Sequence, residues 1–326
     1  MKRERPKPED AARSTARESA AARLLRPRTD GLVVVDKPAG WTSHDIVARL
    51  RKVYGQRRVG HAGTLDPDAT GVLLVGLGRA TRLLRFLQEA GKAYRGTIAF
   101  GVATTTLDAS GDVLDRQAMS VTREDVEAAT ARFVGDIEQL PPMVSAVKVN
   151  GRRLHELARK GEEVERAPRS VHVDRFDVEE FETGPYPTAT VLVECSSGTY
   201  IRTLAADLGT ALGGFAHLAS LRRIRVGSFT LDEAHTLDAI AAEPDAVVLP
   251  PVIATRDLQR VDVDVEQARA VAHGVTFPAP SLSPGQEPTG PGPFAMVGPD
   301  GDLLAVYERR RSAVRPAVVL APVEAD

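Results

Sequence analysis

The chain has 326 residues, 43% hydrophobic and 26% charged, which is typical of a soluble globular protein with one large and one small domain. Its single cysteine, Cys195, excludes an internal disulfide and a cysteine-based zinc site, and this favours a reducing cytoplasm. No apolar run is long enough to cross a bilayer, and the N-terminus lacks the apolar stretch of a signal peptide. We therefore expect a cytoplasmic protein that does not enter a membrane.

The net charge of -2 hides an uneven distribution along the chain. From Arg49 to Arg95, ten Lys or Arg residues stand against three Asp or Glu residues. Such a surface suits phosphate groups, although a basic run is more often just a solvated face. After Ala239 the balance is reversed, with twelve carboxylates against seven Lys or Arg residues.

The N-terminal residues 1–30 are rich in Arg, Ala, Glu and Pro without an apolar period, which predicts a disordered basic tail. The β-branched run Gly31–Asp36 predicts the first strand, and Lys37–Gly40 predicts the turn that ends it. Ser43 is the predicted cap of a helix over Asp45–Tyr54.

The middle of the chain alternates strands and helices. The predicted elements are a buried strand Val72–Val75, a helix Arg79–Glu89, a strand Tyr94–Val102, a helix Thr122–Phe133 capped by Thr122, strands Ser170–Phe181 and Thr188–Glu194, and a helix Tyr200–Leu212. The elements form no regular βαβ repeat, and alternating, half-buried strands dominate. We predict an α+β fold with a mostly antiparallel sheet flanked by helices.

The chain changes character near Leu249. A short helix is predicted at Val265–His273, a Pro/Gly-rich loop at 278–293, and a hairpin pairing Phe294–Val297 with Leu303–Tyr307. We predict a main domain over residues 31–248 and a small β module over 249–326.

The most unusual stretch is Gly60–Gly71, which holds three glycines, a histidine, two carboxylates and a proline in twelve residues. A loop this polar and this bent is usually a functional site. Asp66 precedes Pro67, whose ring disfavours a helical backbone at Asp66 and can hold its side chain out from a rigid turn. A plain Asp-Pro turn explains Asp66 alone equally well.

Two generic motifs compete for this stretch. Asp66-Pro-Asp68-Ala-Thr70 fits the Asp-x-Asp-x-Thr pattern of magnesium-dependent phosphotransferases of the haloacid-dehalogenase type, but that pattern should directly follow a buried strand. Gly76-Leu-Gly78 begins a dinucleotide-binding fingerprint that lacks its third glycine. Both signals are weak.

Several further strings stand in order between Gly31 and about Ala234. They are Asp36-Lys37-Pro38 with Gly40 and Ser43, the Asp66 loop, Lys92-Ala-Tyr94-Arg-Gly96, Thr104-x-Thr106-x-Asp108-x-x-Gly111, Gln139-x-Pro-Pro with Ser145-Ala-x-Lys148, Ser197-Gly-Thr-Tyr-Ile-Arg202, and Ala216-His-Leu-x-x-Leu221-Arg-Arg223. Taken together, they resemble the strings of the bacterial TruB-type tRNA pseudouridine synthases. Val144 and His155 stand where the family often has tyrosine. The N-terminal tail and the Pro/Gly-rich loop lie outside the common pattern.

The resemblance implies a pseudouridine synthase fold and an enzyme that isomerises a T-loop uridine of tRNA, conventionally position 55, without cofactor or metal. Asp66 is then the catalytic carboxylate, and Arg202 is the cation that keeps it ionised. The base must leave the RNA stack. The family places Tyr94 against the flipped uracil, Tyr200 in the pocket wall, and Leu221 against the base.

Further roles follow from the same resemblance. His61 is expected to fill the space vacated in the RNA loop, Asp108 to contact substrate, and Lys37 to support the site. The expected phosphate contacts are Arg79, Arg82, Arg222 and Arg223. The expected partner is the T-stem loop of tRNA, bound by a monomer with no obligate protein partner.

The C-terminal module resembles, much more faintly, the PUA-like RNA-binding domain of this family, and its acidic balance argues against RNA binding. The competing hypothesis from another class is an RNA-binding or tRNA-folding protein in which catalysis is secondary or absent. The set of Asp66, Tyr94 and Arg202 argues against it, since binding alone does not require the carboxylate.

Overall fold

The structure, a computed structural model, describes residues 28–143, 148–149, 152–153, 164–278 and 290–320. Most of the N-terminal tail and of the Pro/Gly-rich loop, together with Val144, Ser145 and His155, lie outside the described residues. No helix in the described ranges is long and apolar enough to cross a membrane.

The described residues form two main sheets with helices packed against them. The strands are β1 (Gly31–Lys37), β2 (Val59–Ala62), β3 (Thr70–Leu77), β4 (Lys92–Phe100), β5 (Val102–Thr104), β6 (Val113–Arg116), β7 (Gly135–Gln139), β8 (Lys148–Val149), β9 (Arg152–Arg153), β10 (Arg169–Glu182), β11 (Thr188–Cys195), β12 (Ala216–Val226), β13 (Phe229–Thr230), β14 (Gln259–Asp262), β15 (Phe277–Pro278), β16 (Phe294–Val297), β17 (Leu303–Arg310) and β18 (Ala313–Val319). The helices are α1 (Ser43–Tyr54), α2 (Leu84–Glu89), α3 (Arg123–Thr130), α4 (Ile201–Ala211), α5 (Leu237–Ala242) and α6 (Val265–Ala272).

The large sheet has nine strands in the order β1-β3-β12-β4-β11-β10-β7, with β2 beside β3 and β13 beside β12. All its pairs are antiparallel except β3 with β12. The predicted α+β fold with a mostly antiparallel sheet is therefore confirmed. The parallel pair lies next to the Asp66 loop, because β3 begins directly after it.

The small sheet has five strands in the order β14-β16-β17-β18-β15, and it contains the predicted hairpin. One core is shared between the two sheets: Leu32 and Leu74 from the large sheet pack in the same cluster as Val297 and Val306 from the small one. On the other face of β1 and β3, a second core packs against α1. A third lies between α3, α4 and strands β4, β10 and β11.

Two local predictions were wrong. The cap of α1 is Thr42, whose hydroxyl accepts from the amide of Asp45 in a reciprocal capping box; the hydroxyl of Ser43 bonds to Leu65 instead. In place of the helix predicted over Arg79–Glu89, the chain forms a 3-10 turn, which begins at Gly78 with a positive φ of 56°, and then the short α2. The capping box at Thr122 is confirmed.

Candidate active site

Asp66 lies in the loop that joins β2 to β3. Its carbonyl accepts from the amide of Ala69 at 3.2 Å, which closes a turn across Pro67. Its side chain is 45% exposed and faces two neighbouring cavities, so the carboxylate is accessible from outside.

Three side chains from other elements hold this loop through its main chain. Lys37, fully buried at the end of β1, donates to the carbonyl of Pro67 at 2.9 Å, and also to Pro38 and Trp41. The hydroxyl of Ser43 exchanges hydrogen bonds with the amide and carbonyl of Leu65. We call Lys37, Ser43 and Arg223 the loop braces.

The third brace, Arg223, is 1% exposed on β12. Its guanidinium donates to the carbonyls of Val72 at 2.7 Å, Gly63 at 3.2 Å and Thr64 at 3.5 Å. These three carbonyls compensate the buried charge of Arg223. Arg223 thus anchors one side of the loop, and Lys37 anchors the other.

The backbone at Gly71, the last residue of the Asp66 loop, requires glycine. Its φ is +100°, and a Cβ there would lie 2.2 Å from the carbonyl oxygen of Arg223. Only glycine allows β3 to approach β12 this closely with this backbone.

Asp66 shares a guanidinium with a second carboxylate. Nε of Arg202 lies 3.1 Å from Oδ2 of Asp66, and Nη1 of Arg202 lies 3.3 Å from Oδ2 of Asp108. Arg202 is 6% exposed and also donates to the carbonyl of Thr106. Asp108 is held in turn by the hydroxyls of Thr106 and Ser110. The expected pairing of Arg202 with Asp66 is thus present, and Asp108 lies on the other side of the cation.

The pKa of Asp66 is raised above its ordinary value, chiefly because the protein withdraws the carboxyl from water. Arg202 and Lys37 oppose this shift, whereas the charge of Asp108 adds to it. The two cations thus favour the ionised carboxylate, whereas burial favours its neutral form and is the larger effect.

A cavity of about 260 Å³ opens in front of Asp66. It is lined by Tyr94, Tyr200 and Leu221, the residues that the resemblance assigns to the base pocket, and also by Arg202. Burial raises the pKa of Tyr94, so its phenol remains protonated at neutral pH. A second cavity of about 230 Å³ shares Asp66, Arg202 and Leu221 with the first and is lined by Asp108.

His61 lies on β2, outside the residues that line these cavities. Its ring meets that of His44 edge to face, with centroids 5.5 Å apart. Burial lowers the pKa of His61, and the neighbouring His44 and Arg223 lower it further, so its ring is neutral at pH 7.

Lys92 also lines the first cavity, and sequence reasoning assigned it no role although it stands in the string with Tyr94. It is 7% exposed and donates to the carbonyls of Gln88 and Ala90. Burial lowers its pKa to about 8, with a further contribution from Arg223. Lys92 therefore closes the cavity as a buried, hydrogen-bonded cation.

The four arginines expected to contact phosphates occupy different environments. Arg223 is buried among carbonyls and does not reach the surface, so that expectation does not fit it. Arg79 and Arg82 donate to the carbonyls of Leu320 and Val319, which ties them to the end of the small sheet.

Arg222 is 40% exposed and pairs with Asp36 at 2.8 Å. Of the four, it alone combines an exposed guanidinium with a position on the strand that carries Leu221.

The generic motifs do not fit this geometry. Asp66 follows β2 only after a loop, not directly, and Asp68 is exposed; the described residues contain no group of three His, Cys, Asp or Glu side chains that could hold a metal ion. A Cβ at Gly78 would lie 2.1 Å from a carboxylate oxygen of Asp30, so packing against the chain itself accounts for that glycine.

Comparison with known proteins gives consistent matches over most of the chain. Three family models match in succession: the N-terminal domain of TruB family pseudouridylate synthases at residues 51–201, the C-terminal domain of tRNA pseudouridylate synthase B at 202–253, and the C-terminal region of tRNA pseudouridine synthase II at 258–321. A tRNA pseudouridine synthase B from Thermobifida fusca (strain YX) is 48% identical, covering 90% of this chain and 99% of the relative.

The chain belongs to the TruB family of pseudouridylate synthases.

A second relative in this family, the tRNA pseudouridine synthase B of Rhodococcus jostii (strain RHA1), is 47% identical over 94% of this chain and 98% of its own. Among solved structures, a chain from an H/ACA RNP bound to a substrate RNA containing 2'-deoxyuridine superposes with a TM-score of 0.70 at 25% identity. That match covers 93% of this chain and 90% of the other. The large mixed sheet and the small C-terminal sheet are thus the TruB architecture.

Proposed function

We propose that this TruB family member isomerises uridine to pseudouridine at position 55 in the T-loop of tRNA. The observation that carries the proposal is the ion pair of Asp66 with the buried Arg202 at the mouth of a cavity lined by Tyr94. The relatives named tRNA pseudouridine synthase B support the choice of tRNA.

The reaction breaks the bond from N1 of uracil to C1′ of ribose, rotates the base and joins C5 to C1′. No atoms are added and no redox change occurs, so the reaction needs no cofactor. It needs an ionised carboxylate that attacks the sugar or the base, or that stabilises the cationic sugar as uracil departs. Asp66 supplies this group, and Arg202 keeps it charged.

The target base must leave its stack to reach Asp66. In the proposed complex, the uracil lies in the first cavity between Tyr94 and Leu221, with Tyr200 in the wall. His61 occupies the space left in the RNA loop; its neutral ring suits insertion among bases. Asp108 positions Arg202 and lines the neighbouring cavity.

RNA phosphates are held by Arg222 and the exposed part of the basic run. The protein acts as a monomer without an obligate protein partner, as the resemblance implies. A tRNA substrate supports a cytoplasmic location.

The test is conversion of unmodified tRNA, with the modified position mapped. We expect pseudouridine at position 55 with the wild type and at least about 10³-fold slower conversion with Asp66→Asn, since a neutral amide cannot replace the ionised carboxylate. Asp68→Asn is the matched control, because Asp68 is an exposed carboxylate two residues away. It should retain most of the activity.

Three results would contradict the proposal. If the wild type binds tRNA and leaves the uridine unchanged, the protein is an RNA-binding or tRNA-folding factor. If Asp66→Asn reacts as fast as wild type, the assignment of Asp66 fails. If the protein turns over a phosphate ester and EDTA abolishes that turnover, the protein is a metal-dependent phosphotransferase instead.

A further inference from the structure

A surface depression of about 450 Å³ lies beside the Asp66 loop and outside both cavities already described. It is lined by Gly40, Trp41, Asp45, Ala48, Arg49 and Lys52. These residues come from the turn before α1 and from one exposed face of that helix.

Trp41, the only tryptophan in the chain, is 38% exposed. In the described ranges, no aromatic ring or cation packs against its indole. Its main chain, by contrast, is firmly held: Lys37 donates from one ammonium to the carbonyls of both Trp41 and Pro67. The indole is therefore presented to solvent from a backbone fixed next to Asp66.

Two cations flank the indole without partners. Arg49 and Lys52 are exposed, and neither forms a hydrogen bond or ion pair with the described residues. The one carboxylate that lines the depression, Asp45, is engaged by the amide and hydroxyl of Thr42 in the cap of α1. An open aromatic face beside two free cations is the arrangement that binds single-stranded nucleic acid, with bases stacked and phosphates neutralised.

The depression adjoins the loop that carries Asp66. Gly40, which lines the depression, donates its amide to the carbonyl of Pro67 at 3.0 Å, and Pro67 lines the second cavity beside Asp66. An RNA strand whose target base lies at Asp66 can therefore reach this face of α1.

We propose that this face of α1 is a second RNA-binding surface, in which Trp41 stacks on an unpaired base and Arg49 and Lys52 bind the adjoining phosphates. The inference rests on the proposed function, since it places further nucleotides of the same RNA outside the base pocket. It adds affinity and register for the substrate rather than a step of the reaction.

The first experiment uses Trp41 as its own reporter. Titration of the full chain with an unmodified T-arm hairpin RNA should quench the intrinsic tryptophan emission, with a midpoint equal to the Kd from filter binding. Trp41→Ala should raise Kd by about 5-fold to 150-fold, the range for loss of one base–aromatic stack, and Trp41→Phe should recover part of that loss. Unchanged emission together with an unchanged Kd for Trp41→Ala would overturn the proposal.

The second experiment measures the salt dependence of Kd for the double variant Arg49→Ala/Lys52→Ala. The slope of log Kd against log salt concentration should decrease by about 1.4 to 1.8, as expected for two lost phosphate contacts. Arg132→Ala is the control: Arg132 is exposed beside β7, at the opposite edge of the large sheet from β1, and should leave the slope unchanged. A double variant with the wild-type slope refutes the cation contacts.

Turnover separates this inference from the proposed function. At saturating RNA, all these variants should convert uridine at the wild-type rate, so the effect falls on KM and not on kcat. If the wild type fails to convert tRNA, the proposed function fails. The binding measurements still show whether this face of α1 binds RNA. If conversion proceeds and every variant keeps the wild-type Kd, only the surface fails.

Discussion

The carboxylates of Asp66 and Asp108 both pair with the guanidinium of Arg202 at the centre of the site. Arg202 faces Asp66 on one side and Asp108 on the other, so the trio carries a net negative charge in a partly buried setting. Arg202 is the cation that lowers the pKa of Asp66 most, and the charge of Asp108 opposes that effect.

This arrangement predicts a pH effect of Asp108→Asn. Activity requires ionised Asp66, so it falls as pH decreases through the raised pKa of that group. Asp108 contributes to raising the pKa. Removing its charge therefore lowers the pKa of Asp66 and moves the acid limb of kcat/KM to lower pH. The measurement is a pH profile of tRNA conversion.

Asp112→Asn serves as the control for that profile, because Asp112 is exposed on the same segment and plays no part in the trio. Its acid limb should match that of wild type. A limb that moves to higher pH in Asp108→Asn contradicts the electrostatic coupling.

The residues predicted to line a pocket lie together, whereas one arginine has a different environment from the predicted one. Asp66, Tyr94, Tyr200 and Leu221 are expected together, and the fold brings them to one cavity. Arg223 is expected, like its neighbour, to be a surface cation. Adjacent residues on a strand face opposite sides, so alternation could have shown that only one of the pair reaches solvent. It could not have shown which, because that depends on how β12 packs against β3.

Elements with a clear period of two are predicted well from the sequence, and short helices less so. β10 and β11 match the predicted segments to within one residue, because buried residues alternate along β11 and along β10 between its two bulges. Thr42 and Ser43 both carry a hydroxyl suited to capping α1. Only the tertiary fold, which directs Ser43 to Leu65, decides between them.

The junction of β3 and β12 predicts a strong effect of Gly71→Ala. The new Cβ would collide with the carbonyl of Arg223 and impose strain at a positive φ. We expect a loss of at least about 3 kcal/mol in the free energy of unfolding, measured by urea denaturation.

Gly213→Ala is the matched control for Gly71→Ala. Gly213 also has a positive φ, of +79°, but a Cβ at this position would meet no atom within 4 Å. Its cost should be about 1 to 2 kcal/mol, from backbone strain alone. Equal losses of unfolding free energy in the two variants would show that β12 moves away from the new Cβ at position 71 without destabilising the protein.

At the scale of the whole molecule, the small sheet is joined to the large one by a common core. Val297 faces that core, whereas Met296, the preceding residue on β16, faces a separate cluster within the small sheet. Arg79 and Arg82 add hydrogen bonds from the large-sheet side to the end of β18. The two sheets should therefore unfold in one transition.

Met296→Ala tests this coupling at a distance. The substitution removes a fully buried side chain and should cost about 2 to 5 kcal/mol. Because the sheets unfold together, Trp41 fluorescence, which reports on the large-sheet side, should shift its urea midpoint as much as far-UV circular dichroism does. Val275→Ala, at an exposed position of the small-sheet region, should shift neither. A dichroism change that precedes the fluorescence change would mean that the small sheet unfolds independently.

The loop braces restrict the length of the loop between β2 and β3. Loops normally tolerate insertions, because their main chain bonds to water. Here the carbonyls of Gly63, Thr64, Leu65 and Pro67 each accept from a side chain anchored in another element. One added residue would displace several of these acceptors at once. The β2–β3 connection is therefore a loop of fixed length, as intolerant of insertion as the interior of a strand.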